Sequence, residues 1–325
     1  MAVYTPLTND EIASLLATDY ALGALVRAEG IAQGVENTNY LIVTAQAGVE
    51  QRFILTLYEK RTKREELPFF MALMEHMAQA GVPCPLPIHR NDGGVISQVK
   101  GKAAAIVGFL QGKESAALRN AQIASLGAMV GRMHVAVAGF DGVRANALSV
   151  AGWKQLYAKI APRLDALRAG LSQMVGEELA YLERAWPKDL PRGVVHADIF
   201  PDNVFYDGDD VSGVIDFYFA CEDMFAYDLV IVMNAWCFEG KNFNITHAQL
   251  LFTHYRTVRA LSSAEIDALP VLARGAALRF LLTRAHDWLN QDADAIVTPK
   301  DPMEYVTKLE FFQGMGHAGV YVGAG

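Results

Sequence analysis

Val194-Val195-His196-Ala197-Asp198-Ile199-Phe200-Pro201-Asp202-Asn203-Val204-Phe205-Tyr206, with Val214-Ile215-Asp216-Phe217 shortly after, is the stretch on which the reading turns. Apolar β-type runs flank a polar turn in which an acid, Asp198, precedes an amide, Asn203, by five residues. A second acid, Asp216, follows Asn203 by thirteen residues, at the end of the next apolar run. On a tight loop, the carboxylate of Asp198 can accept a hydroxyl's proton while the amide oxygen of Asn203 ligates a magnesium ion. Asp216, delivered by a hairpin, completes that ion's site on nucleotide phosphates. An aligned hydroxyl with neutralised phosphate charge is what phosphoryl transfer needs. Taken singly, Asp198 reads as a turn cap, Asn203 as a loop residue and His196 as a packed histidine. The spacing of all four outweighs those separate readings.

Outward from this stretch, the chain changes texture. On its N-terminal side, Thr8-Asn9-Asp10-Glu11 is a capping box opening a short helix. Three β-like runs follow, Ala24–Gly30, Thr38–Thr44 and Arg52–Tyr58, and then a helix over Leu67–Gly81. A hairpin is expected around Asn91-Asp92-Gly93-Gly94, and Ala103–Leu110 is an apolar run. From about Asn120 long helical patterns dominate, interrupted by the mostly β segment Gly193–Phe219. The last long pattern, Ala264–Leu289, is expected to break near Pro270. The fold class expected is α+β, a small sheet-rich N-lobe (1–108) carrying one main helix and a larger, mostly helical C-lobe (109–325).

The composition excludes several functions. Hydrophobic residues make up 52% and charged residues 20% of 325, the profile of a globular enzyme rather than a disordered chain. A net charge of −8 without a basic run argues against nucleic acid or an anionic membrane as partner. The 3 cysteines, Cys84, Cys221 and Cys237, lie far apart and suggest neither a disulfide framework nor a zinc site. With no signal-peptide pattern and no apolar run of membrane length, a reduced, cytoplasmic location is expected. Two phosphate signatures fail: Gly108 and Gly112-Lys113-Glu114 miss the P-loop spacing. Gly314-Met315-Gly316-His317-Ala318-Gly319 matches a dinucleotide fingerprint but has no βαβ unit to serve.

The His196-x-Asp198-x4-Asn203 loop with Asp216 resembles the aminoglycoside phosphotransferase-like branch of the protein-kinase fold. Gly127–His134 looks like that family's helix before the loop, and Asp228-Leu229 like its closing motif. The closer resemblance is to the homoserine kinases of this fold. It is carried by Gly34-Val35-Glu36-Asn37-Thr38-Asn39-Tyr40, Leu67-Pro68-Phe69-Phe70, Ile215-Asp216-Phe217-Tyr218-Phe219-Ala220-Cys221 and Ala226-Tyr227-Asp228-Leu229.

The resemblance implies a two-lobed, protein-kinase-like fold with an antiparallel N-lobe sheet. It also implies ATP and Mg2+ as cofactors, L-homoserine as acceptor and O-phospho-L-homoserine as product. Alternatives are another small-alcohol kinase (choline, methylthioribose or aminoglycoside type) and an inactive nucleotide-binding module. Asp198 is then the catalytic base, and Asn203 and Asp216 are the metal ligands. Gly34, Asn37, Asn39 and Lys60 cover the nucleotide, with Gly108 and Leu110 offering main-chain contacts to adenine. The family's ATP-orienting lysine is replaced by Thr56, with Lys60 a nearby source of charge, and Phe200 stands where related kinases often carry a cation. Asp202, Glu222 and Asp223 are candidates for the substrate ammonium, Arg279 and Arg284 for its carboxylate. Tyr218 would wall the pocket.

Overall fold

The computed structural model describes residues 4–31, 37–59, 63–291 and 299–323. The chain divides into two compact units, 1–112 with 213–218, and 113–212 with 219–325. A single cut near residue 108 therefore does not describe it. The segment 213–218 belongs with the first unit, where the Val214 N–H donates to the Pro83 carbonyl at 2.8 Å.

In the first unit, α1 (Asn9–Asp19) starts at the expected capping box. The Thr8 hydroxyl accepts from Glu11 N–H, and the Glu11 carboxylate accepts from Thr8 N–H. Strands β1 (Ala24–Ile31), β2 (Thr38–Gln46), β3 (Val49–Leu57), β4 (Ser97–Val99) and β5 (Lys102–Gly108) form an antiparallel sheet in the order β1-β2-β3-β5-β4. One face buries Tyr40, Ile42, Leu55, Leu57 and Ile106 against Ile12, Leu15 and Leu16 of α1. Helix α2 (Leu67–Gln79) buries Phe70, Leu73, Met74 and Met77, which share one face at helical spacing.

The expected hairpin at Asn91–Gly94 is instead a turn without flanking strands, and the hairpin lies at Val99–Lys102. Pro83, Pro85 and Pro87 remove alternate ladder donors ahead of that turn, so a bridge forms at Pro87 in place of a strand. At the real hairpin Lys100 and Gly101 have φ of 49° and 77°, the left-handed pair that matches strand twist.

The second unit is built from α3 (Asn120–Ala136), α4 (Val150–Leu164), α5 (Leu171–Ala185), α6 (Phe225–Trp236), α7 (Ile245–Arg256), α8 (Ser263–Leu289) and α9 (Met303–Gln313). Its β elements are β6 (Arg192–Val195) paired with β9 (Cys221–Met224), the hairpin of β7 (Val204–Asp207) and β8 (Asp210–Val214), whose last two residues pass to the first unit, and the short antiparallel pair β10 (Phe238–Glu239) with β11 (Asn242–Phe243). Helix α8 runs unbroken through Pro270, against expectation. A proline costs about 3 kcal/mol inside a helix. Burial of Leu272, Leu278, Leu281 and Leu282, at about 1.5–3 kcal/mol each, outweighs it. At Gly127 in α3 an added Cβ would lie 2.3 Å from the Leu251 carbonyl oxygen of α7, so the helix pair closes only over glycine. Among the described residues no helix is long and apolar enough to cross a membrane.

Candidate active site

Strand β6 ends at Val195 and hands the chain to a loop whose backbone is held by buried side chains. Asp228 on α6 is fully buried; its Oδ1 accepts the Ala197 N–H at 2.7 Å and its Oδ2 the His196 N–H at 3.3 Å. His134 of α3 donates from Nε2 to the same Oδ2 at 3.0 Å, since a carboxylate can only accept. Its Nδ1 pairs with the Tyr255 hydroxyl at 2.8 Å, which in turn accepts from Arg259 at 3.1 Å. Burial by itself would raise the Asp228 carboxyl; the His134 hydrogen bond and charge, with the loop N–H groups, outweigh it and hold the group below the ordinary aspartate value.

From α8, Arg279 donates to the Ala197 carbonyl at 2.6 Å; from α6, the Trp236 indole donates to the Ile199 carbonyl at 2.8 Å. Ala197 is thereby kept at φ 62°, a conformation a residue with a Cβ rarely adopts.

This scaffold presents Asp198. Asn203, at the end of the 3-10 turn Pro201–Asn203, donates its amide to the Asp198 carbonyl at 2.9 Å and to Asp198 Oδ2 at 3.4 Å. The donor side of the Asn203 amide thus faces Asp198, which leaves its carbonyl oxygen for another partner. Hard cations take oxygen ligands, and magnesium is commonly held by one or two protein groups plus phosphates. Among the described residues no cluster of three or more His, Cys, Asp or Glu could hold a metal alone. The Asn203 amide oxygen is a donor of the kind such an ion takes.

The hairpin after Asn203 is pinned by α3. Arg119 and Gln122 donate to the Gly208 carbonyl at 2.6 and 3.1 Å, and Ser125 accepts from Val211 N–H at 2.9 Å. Asp216, two residues past the hairpin, has φ 66° and falls in the first unit, whereas Asp198 and Asn203 fall in the second.

The remaining expected site residues are placed as follows. Gly34 and Lys60 lie outside the described residues. Asn37 is buried and accepts the Glu59 N–H at 3.2 Å. Asn39 accepts from the Thr56 hydroxyl at 2.8 Å, so the residue at the expected lysine position is tied to the neighbouring strand. Lys102, which local sequence does not mark, forms an ion pair with Glu59. The Gly108 N–H donates to the Leu86 carbonyl at 2.8 Å, and half-buried Leu110 lies just past the strand.

Tyr218 is half-buried and packs edge-on to Tyr58 and Phe70, and its hydroxyl pairs with that of Tyr58 at 2.9 Å. Asp223 is buried opposite Gly193 on β6, accepting from Asn146 at 2.6 Å and from its neighbour Met224 N–H at 2.7 Å. Burial pushes its carboxyl up.

The two arginines are committed elsewhere than expected. Arg279 is 1% exposed and braces the loop. Arg284 pairs with Glu304 at 2.6 Å and donates to the Asp301 carbonyl at 3.2 Å, because α9 brings an acid to it. Asp202 pairs at 2.8 Å with Lys300, which also lies 5.3 Å from the centre of the Phe200 ring. Lys300 is 98 positions from Asp202, and no motif in the sequence flags it.

The model of a phosphotransferase enzyme family matches residues 27–261. A homoserine kinase of Paramagnetospirillum magneticum is 52% identical over 328 residues, covering 99% of this chain and 99% of that one. A homoserine kinase of Bradyrhizobium sp. is 51% identical over 322 residues, covering 99% and 98%. Among solved structures, an amicoumacin kinase in complex with AMP-PNP and Ca2+ matches with a TM-score of 0.70 at 16% identity, over 95% of this chain and 94% of that one. At that identity the likeness shows the kinase-like fold.

Proposed function

This chain belongs to the phosphotransferase enzyme family, among its homoserine kinases, and on that premise we propose that it transfers the γ-phosphoryl group of ATP to the side-chain hydroxyl of L-homoserine. The products are O-phospho-L-homoserine and ADP. The observation that carries the reading is the braced loop, which holds Asp198 and Asn203 on one turn through the buried Asp228.

Asp198 orients the acceptor hydroxyl and takes its proton as the oxygen–phosphorus bond forms and the bond to the bridging β–γ oxygen breaks. Asn203 Oδ1 and the Asp216 carboxylate are the oxygens we assign to Mg2+. When bound, the ion neutralises charge on the transferring and leaving phosphates. Asn37 and Asn39, with Gly34 and Lys60, are assigned to the nucleotide's phosphate side, and Gly108 and Leu110 to adenine through main-chain groups.

Burial pushes the Cys84 and Cys221 thiols up to about 12, so neither supplies a thiolate nucleophile at neutral pH. All three cysteines are free; with ATP as donor, this supports placing the reaction in the cytoplasm.

The test is an ADP-release assay with Mg-ATP and L-homoserine, L-serine, choline, 5-methylthioribose or kanamycin. Selective turnover of L-homoserine is expected, and turnover of a different alcohol alone would replace the substrate. Asp198→Ala is expected to lower kcat by about 10²–10⁴-fold while ATP still binds; near-normal turnover would overturn the assignment.

A further inference from the structure

Resting on the reading of an amino-acid acceptor, we propose that Lys300 and Asp202 form the acceptor's zwitterion receptor, with Lys300 taking the α-carboxylate and Asp202 the α-ammonium. From His196 to Asn203 the loop contains acids, Asp198 and Asp202, but no lysine or arginine. An acceptor carboxylate brought to Asp198 meets negative charge and needs a cation from elsewhere in the chain. The other cations of α8 and α9 near the loop are committed. Arg279 is buried on the Ala197 carbonyl, and Arg284 and Lys308 share Glu304 while donating to the Asp301 and Asn234 carbonyls.

Lys300 differs from these. Its side chain is 59% exposed, that of Asp202 is 52% exposed, and the two meet at 2.8 Å. An exposed pair of this kind is weakly held and readily exchanged. An α-amino acid carries ammonium and carboxylate on one carbon, so a lysine and an aspartate at hydrogen-bond distance are its electrostatic complement. Entry of the ligand replaces one internal ion pair by two.

The turn keeps the receptor near the base. Phe200 N–H donates to the Asp198 carbonyl, and Asn203 N–H donates to the Phe200 carbonyl. Asp202 therefore follows Asp198 by four residues within one folded loop. In L-homoserine the hydroxyl is two methylenes from the α-carbon, which suits a base and a receptor carried on the same short segment.

The experiment uses the full chain with Mg-ATP and three acceptors: L-homoserine, 3-aminopropan-1-ol, which lacks the carboxylate, and 4-hydroxybutanoate, which lacks the ammonium. Where turnover of an analogue is too slow, it is measured as a competitive inhibitor. Lys300→Met is expected to cut kcat/KM for L-homoserine about tenfold or more through KM, the weight of one charged hydrogen bond. It should weaken 4-hydroxybutanoate alike and spare 3-aminopropan-1-ol and the KM for ATP. Asp202→Asn should give the mirror pattern, sparing 4-hydroxybutanoate. An equal loss for all three acceptors, or no loss, overturns the receptor while leaving the kinase reading intact. A wild-type protein inert toward L-homoserine overturns the parent reading and the receptor with it.

Discussion

The root and the tip of the loop from His196 to Asn203 use charge in opposite ways. At the root, Asp228 is buried, and backbone N–H groups and His134 supply its partners. At the tip, Asp202 and Lys300 meet in water, more than half exposed on both sides. A buried charge stripped of a partner is costly, whereas an exposed pair is worth about 0–1 kcal/mol. The root is therefore built to hold one geometry, and the tip can trade its partner for a ligand at little cost to the fold.

The largest break in this contrast should come from Asp228→Ala. It leaves His134 and two loop N–H groups facing a void, and about 3–5 kcal/mol of stability should be lost. Urea unfolding followed by circular dichroism checks this, and an unchanged midpoint would remove the root from the account. Arg279→Met should cost less, about 1–3 kcal/mol, for an unsatisfied Ala197 carbonyl. Because it frees the loop next to Asp198, kcat should fall while ATP affinity, read by titration, is kept.

Acid tests the root. The folded-state value of Asp228 is lowered, so the stability it contributes is present above the unfolded aspartate value of about 3.9 and is lost as pH falls through the folded one. Asp228→Asn should flatten that acid limb of the unfolding midpoint; an identical limb in both proteins would assign acid lability elsewhere.

Ala197→Gly should raise stability by up to about 1 kcal/mol, because the φ of 62° suits glycine. A destabilised variant would mean that the methyl group's burial outweighs the strain. The smallest effect is expected at the tip, where Lys300→Met should shift stability by less than about 1 kcal/mol in the same urea assay. A shift as large as that of Asp228→Ala would make Lys300 a structural brace.

Much of the fold was legible because its signals are local. The Thr8–Glu11 capping box lies within one helical turn, and the Phe70, Leu73, Met74 and Met77 stripe repeats at helical spacing. Asp198 and Asn203 were legible for the same reason, five residues apart on one turn whose amide bond to Asp198 closes locally. The hairpin at Val99–Lys102 was misplaced because Asn91–Gly94 has the stronger turn composition. The alternate prolines before it, and the partner strand β5, settled the matter. The continuity of α8 through Pro270 came from burial on neighbouring helices, which no window around the proline contains.

What the sequence by itself determined is the chemistry on offer: an acid, an amide and a second acid at spacings that suit phosphoryl transfer, within an α+β chain. What only the tertiary structure decided is the employment of each charge. Arg279 and Arg284 read as carboxylate receptors, yet one braces a carbonyl 82 positions away and the other pairs with Glu304. Lys300, unremarked in the chain, stands beside the loop. A charged side chain's role is set by which opposite charge or backbone dipole reaches it and by how much water remains. Both depend on distances in space between residues far apart in the chain.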